Sequence, residues 1–138
     1  MPVILGVDPG ERHVGMAVCD AMGMIASLYR SVSVRNPEEM FQSIVEAMRD
    51  SGAERVILGL PRNMNGRMGA KAKESTALAD RLREAGLTVE LWDERLTTAQ
   101  AERHLLGADM SHRQRKQRID AVAAQIMLQS YLDSRPRV

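Results

Sequence analysis

Four carboxylates and two clusters of cations are the residues of this chain with chemistry to offer. Asp8 closes the apolar run Val3-Ile4-Leu5-Gly6-Val7 and is followed at once by Pro9-Gly10. Asp93-Glu94 closes a second run, Leu87-Thr88-Val89-Glu90-Leu91-Trp92, and Asp120 stands at the edge of an apolar helical stripe. Carboxylates gathered in one place repel each other, and the cost is relieved when a cation sits between them. Hard oxygen donors without a cysteine cluster select Mg²⁺ or Mn²⁺. Two such ions about 3.5–4 Å apart activate a water and stabilise the leaving oxygen in phosphodiester hydrolysis. Taken alone, Asp8 is explained equally well as the start of an Asx-turn. Strand alternation groups Asp93 with Val89 and Leu91, and Glu94 with Glu90 and Trp92, which leaves the choice of ligand between them open.

The cations would hold the polyanion. The stretch from Pro61 to Lys73 carries Arg62, Arg67, Lys71 and Lys73 with no acid, and His112 to Arg118 carries Arg113, Arg115, Lys116 and Arg118. Arg12 near Asp8 suits either an ion pair or a phosphate clamp, and Arg95 adds a cation beside Glu94. The formal net charge is only +1 and aromatics are 3 % of the chain. A stacking platform for bases is therefore excluded, and any nucleic acid must be gripped chiefly by its phosphates.

These side chains need elements to carry them. Val3 to Val7 reads as a strand buried on both faces, and Val14 to Val18 as its hairpin partner across a turn set by Pro9-Gly10. Gly6 and Gly15 suit the close approach of a ligand or another backbone. Met24 to Val34 reads as a third, antiparallel strand. Asn36-Pro37-Glu38-Glu39 opens a helix that Ser51-Gly52 closes. Val56 to Leu60 is another wholly apolar strand, so the crossover predicts parallel pairing with the first. A helix over about 72–85 ended by Gly86, a parallel strand over 87–92, and a helix from Thr97 to Gly107 follow. The last helix places Ile119, Val122, Ala123, Ile126 and Met127 on one stripe. Asp120 lies too deep for a dipole role if Ser111 caps that helix, and within the first turn if it starts near Lys116. The order predicts an α/β domain whose parallel strands end at one edge, the usual place for ligands.

At 138 residues the chain is expected to be one domain, 1–138, with a core of ordinary hydrophobicity. The lone Cys19 excludes an intramolecular disulfide and a thiolate zinc cluster. No apolar run approaches the roughly 20 residues that span a bilayer, and no secretion signal is visible. A cytosolic protein with no membrane contact, monomeric or a weak homodimer, is the expectation.

Asp8-Pro9-Gly10 with Arg12, Gly15 and Ala17, then Gly59-Leu60-Pro61 with Gly66, then Asp93-Glu94-Arg95-Leu96-Thr97-Thr98, and finally Asp120-Ala121-Val122-Ala123-Ala124 resemble the four signatures of the YqgF/RuvX family. They cover nearly the whole chain. The resemblance implies an RNase H-like fold, a mixed five-stranded sheet with three antiparallel and then parallel strands flanked by helices. It implies a nuclease for pre-16S ribosomal RNA, related to Holliday-junction resolvases, and it implies that Asp8, Glu94 and Asp120 are the metal-binding catalytic carboxylates. Asp93 would then be a supporting partner. In the wider RNase H-like group an acid follows the fourth strand; here Leu60-Pro61-Arg62 stands there and the acid has moved to the fifth. A four-way DNA junction is the alternative substrate, and an RNA-binding ribosome-assembly factor without turnover is the non-catalytic rival. The sugar kinases that share this opening hairpin need two such domains to enclose ATP.

Overall fold

The computed structural model describes residues 3–61, 69–94 and 112–135. Five strands and three helices lie in these segments: β1 (Ile4–Pro9), β2 (His13–Cys19), β3 (Ala26–Ser33), α1 (Pro37–Ser51), β4 (Arg55–Leu60), α2 (Ala70–Glu84), β5 (Thr88–Asp93) and α3 (His112–Ser134). They form one mixed sheet in the order β3-β2-β1-β4-β5. β1 pairs antiparallel with β2 and parallel with β4, and β5 is parallel to β4, as the apolar runs and the crossover rule require. The helix expected between Thr97 and Gly107 lies outside the described residues.

Local chemistry sets the element ends. Asn36 caps α1 by accepting the Glu39 N–H at 2.9 Å, Pro37 occupies the first turn, and Gly52 leaves the helix at φ +71°. That conformation costs a residue with a Cβ far more than glycine. Gly86, at φ +93°, does the same after α2.

Side-chain alternation divides the interior into two layers. Leu5, Val7, Val56, Leu58 and Val89 pack with Met40, Ile44, Ala47 and Met48 of α1 and Ala79 and Leu82 of α2. Ile4, Ala17 and Ile57, from the other face, pack with Ala124, Met127, Leu128, Tyr131 and Leu132 of α3, with Trp92 against them. α3 is thus oriented with Ala124, Met127, Leu128 and Tyr131 towards the sheet. This differs from the stripe expected from the sequence, because Val122 and Ile126 are also buried although they join neither layer. An apolar helix covered on two sides offers no single stripe to read.

Two features tie α3 to the sheet. Gln129 accepts the Ala26 N–H at 2.9 Å and Gln125 donates to the Ala26 carbonyl at 3.1 Å, so side chains complete the outer edge of β3. At the opposite margin, Tyr131 donates to Glu90 at 3.0 Å and accepts from Arg55 at 3.2 Å. Gly6 lies beneath the helix: a Cβ there would meet Leu128 Cβ at 2.9 Å and the Ala124 carbonyl oxygen at 3.4 Å. The close approach expected at Gly6 is therefore made by α3 and not by a ligand.

Candidate active site

Asp8 stands near the carboxyl end of β1, on the same face as Ile4 and Gly6, and is half-buried. Register places Val7 opposite Leu58, which carries the next residue, Asp8, to the level of Gly59 on β4. Gly59 lies opposite Trp92 of β5, and Leu60 opposite Asp93. β1 and β5 are not neighbours. Two strand spacings separate them, about 9.5 Å.

Glu94 closes that gap. Immediately after β5, it lays its carboxylate over Gly59, where Glu94 Oε1 takes the space a Cβ at position 59 would fill. Glu94 Cδ and Met127 Sδ would each lie 3.2 Å from that Cβ. The side chain thereby reaches Asp8, and the two carboxyl groups are hydrogen-bonded. Burial first, and then the hydrogen bond and charge of Glu94, hold the Asp8 carboxyl well above the ordinary carboxylate range.

Alternation alone allows two candidates on β5, and the geometry separates them. Glu94 lies on the α3 face in contact with Asp8. Asp93 ends the strand opposite Leu60, and alternation assigns it to the layer of Val89 and Leu91. Asp120 is set by the backbone of α3. The helix runs antiparallel to β1, since Tyr131 bonds Arg55 at the start of β4 while Met127 lies by Gly59 towards its end. Position 120 is one turn before Ala124, whose carbonyl lies over Gly6, so it continues that row towards the edge where Asp8 stands. α3 begins at His112, which puts Asp120 two turns inside the helix and removes the first-turn dipole reading.

The carboxyl oxygens that meet on this rim are the donor type of a hard divalent cation. Among the described residues no group of three acidic, histidine or cysteine side chains forms a ready metal site, so Asp8 and Glu94 are the two that the fold brings together. The expected phosphate contacts are distributed around them. Arg12 is exposed at the hairpin tip, where its carbonyl accepts the Val34 N–H at 2.8 Å, and Lys71 is exposed in the first turn of α2. Arg113, Arg115, Lys116 and Arg118 occupy the N-terminal part of α3. Arg62, Arg67 and Arg95 lie outside the described residues. Sequence reasoning missed the role of Gly59; the signal available was a glycine in an otherwise bulky strand, two residues before the proline that follows it.

Comparison with known proteins bears on the family and the fold. Residues 2–134 match the family model "RuvX: Holliday junction resolvase". A protein of Pelotomaculum thermopropionicum named "Putative pre-16S rRNA nuclease" is 44% identical over 136 residues, covering 97% of this chain and 88% of the relative. A Bacillus cytotoxicus protein of the same name is 41% identical over 135 residues, with 96% and 98% covered. In fold the chain is similar to T. thermophilus RuvC in complex with a Holliday junction substrate, with a TM-score of 0.62 at 16% identity and 100% of both chains covered. It is similar also to the fowlpox virus resolvase in complex with Holliday junction DNA, with a TM-score of 0.59 at 14% identity, covering 96% and 97%. The architecture is RNase H-like.

Proposed function

The chain belongs to the RuvX family of Holliday junction resolvases, and from that premise we propose that it is a divalent-metal-dependent endonuclease of structured nucleic acid, acting in the 5′ maturation of pre-16S ribosomal RNA. The observation that carries the reading is the Asp8–Glu94 carboxyl pair, held together across Gly59 at the carboxyl edge of the parallel strands. Two carboxyl groups held together in a half-buried place are an expense that folding alone does not explain, and a cation between them removes it.

Asp8, Glu94 and Asp120 hold Mg²⁺ or Mn²⁺ in this reading, and Asp93 steadies the end of β5. The ion, when bound, supplies Lewis-acid polarisation of the phosphodiester and acidification of the attacking water. The chain's residues do the rest. Asp8 would hold the ion through its carboxylate. Glu94 is fixed in aim by Gly59 below and Met127 beside it. Arg12, Arg62, Arg67, Lys71, Arg95 and the basic N-terminal part of α3 neutralise phosphates and set the strand's register. A cytosolic location fits this role, and no described helix is long and apolar enough to cross a membrane.

The description of the matching family model favours one second reading of the substrate, a four-way DNA junction. Cleavage of precursor 16S rRNA, single-stranded RNA and a four-way junction under Mg²⁺ and Mn²⁺ separates the two. Asp8→Asn, Glu94→Gln and Asp120→Asn are expected to bind substrate like the parent and to lose turnover, while Asp93→Asn loses about 10–100-fold, as supporting groups at metal sites do. If all four variants cleave at the parent's rate, the chain is a binding factor and not the nuclease.

A further inference from the structure

A cavity of about 490 Å³ opens beside Asp8 on the other side of β1, between the hairpin tip and the N-terminal turns of α1 and α2. Its wall begins at Pro9, the residue after Asp8, so it adjoins the catalytic edge without containing a catalytic group. The apolar lining comes from Pro9, Val34, Met40 and Leu78. Ser75 lines it too; at 4 % exposure it is the buried polar residue of the described core. Its hydroxyl can both donate and accept a hydrogen bond, so the wall offers an entering group one polar point of contact.

The charges around the opening say which kind of group. Glu11 and Glu74 stand against Arg35 and Lys71, so the rim is balanced and is no trap for a bare phosphate. A flat, largely apolar group with donors and acceptors on its edge fits both the lining and Ser75. The volume lies in the range of small-molecule pockets. Resting on the nuclease reading above, we propose that this cavity is a subsite for an unstacked nucleobase of the substrate strand, one flanking the scissile phosphate held at Asp8 and Glu94. Extruding a base costs least where the strand is already unpaired, so the subsite would favour single-stranded or junction-flanking positions.

The test uses RNA substrates in which each nucleotide flanking the cleavage site is replaced in turn by an abasic one. One abasic position is expected to lower the parent's kcat/KM about tenfold, equivalent to about 1.4 kcal/mol of lost base contacts. Ser75→Leu, which fills the cavity, should show that decrease on intact RNA and no further one on the abasic strand. Ala70→Trp fills it from the exposed first turn of α2 and guards against a folding defect in the first variant. Binding is read separately with 2-aminopurine at the same position and Asp8→Asn protein without metal. Among the described residues no aromatic ring lines the cavity, so fluorescence should rise on binding and fail to rise in Ser75→Leu/Asp8→Asn. Equal decreases on intact and abasic strands, or parental rates for both filled variants, would overturn the subsite. A fluorescence rise without any cleavage by the parent keeps the subsite and refutes the nuclease.

Discussion

Adding one methyl group at Gly59 should disable the site without touching a carboxylate. The Cβ of Gly59→Ala enters the space of Glu94 Oε1 and comes within 3.2 Å of Glu94 Cδ and Met127 Sδ. Unstrained carbon neighbours sit at about 3.5 Å or more, so the Glu94 carboxylate must withdraw by roughly 1 Å. It cannot withdraw downward into β4, and upward it meets α3; it therefore moves off the line to Asp8. A misplacement of about 1 Å at a reacting centre costs on the order of 10²-fold in rate. Overpacking should cost about 1–3 kcal/mol, partly offset by the roughly 0.4–1 kcal/mol that alanine gains over glycine through the unfolded chain. The variant should remain folded. Two assays follow, kcat under saturating Mn²⁺ and the rise in melting temperature that Mn²⁺ produces. Both should fall in Gly59→Ala. Both should partly return in Gly59→Ala/Glu94→Asp, where the shorter side chain clears the new methyl group. Parental kcat and an unchanged metal response in Gly59→Ala would refute the bridge across β4, and failure of Glu94→Asp to help would refute the steric account of it.

The raised Asp8 carboxyl has a consequence for stability against pH. Its folded pKa lies above the unfolded value of about 3.9, so its favourable contribution is complete below that value and is lost as pH rises through the folded pKa. Metal-free protein should lose stability over that window in urea titrations, and Asp8→Asn should flatten the dependence and abolish stabilisation by Mn²⁺; parallel curves for the two proteins would remove the pair from the account. Neutralising Arg113 and Arg115 should weaken binding to every nucleic acid and lower the slope of log affinity against log salt by about 0.7–0.9 for each phosphate that is no longer neutralised. An unchanged slope would make that run a solvated face. Tyr131→Phe removes the bonds to Glu90 and Arg55, and should cost about 0.5–1.5 kcal/mol each at most in chemical denaturation. A neutral result would mean that water replaces both.

Much of the architecture is written in local patterns. The apolar runs at Ile4–Val7 and Val56–Leu60 are legible because strands buried on both faces need no polar alternation, and both are buried throughout. Asn36-Pro37 and Gly52 mark the ends of α1 because capping and positive φ depend on a few adjacent residues. The carboxylates are visible as the residues that close these runs. What no local pattern contains is which of them touch. Asp8 and Glu94 are 86 positions apart in sequence order (94 − 8) and two strands apart in the sheet; their meeting depends on β4 lying between them and on its having no side chain at Gly59. The row of α3 that faces the sheet was equally out of reach, since a helix covered on two sides carries apolar residues in more than one direction. Sequence determined the elements and the donors. Tertiary structure decided the pair, because register and a missing Cβ are properties of neighbours that the chain does not place side by side.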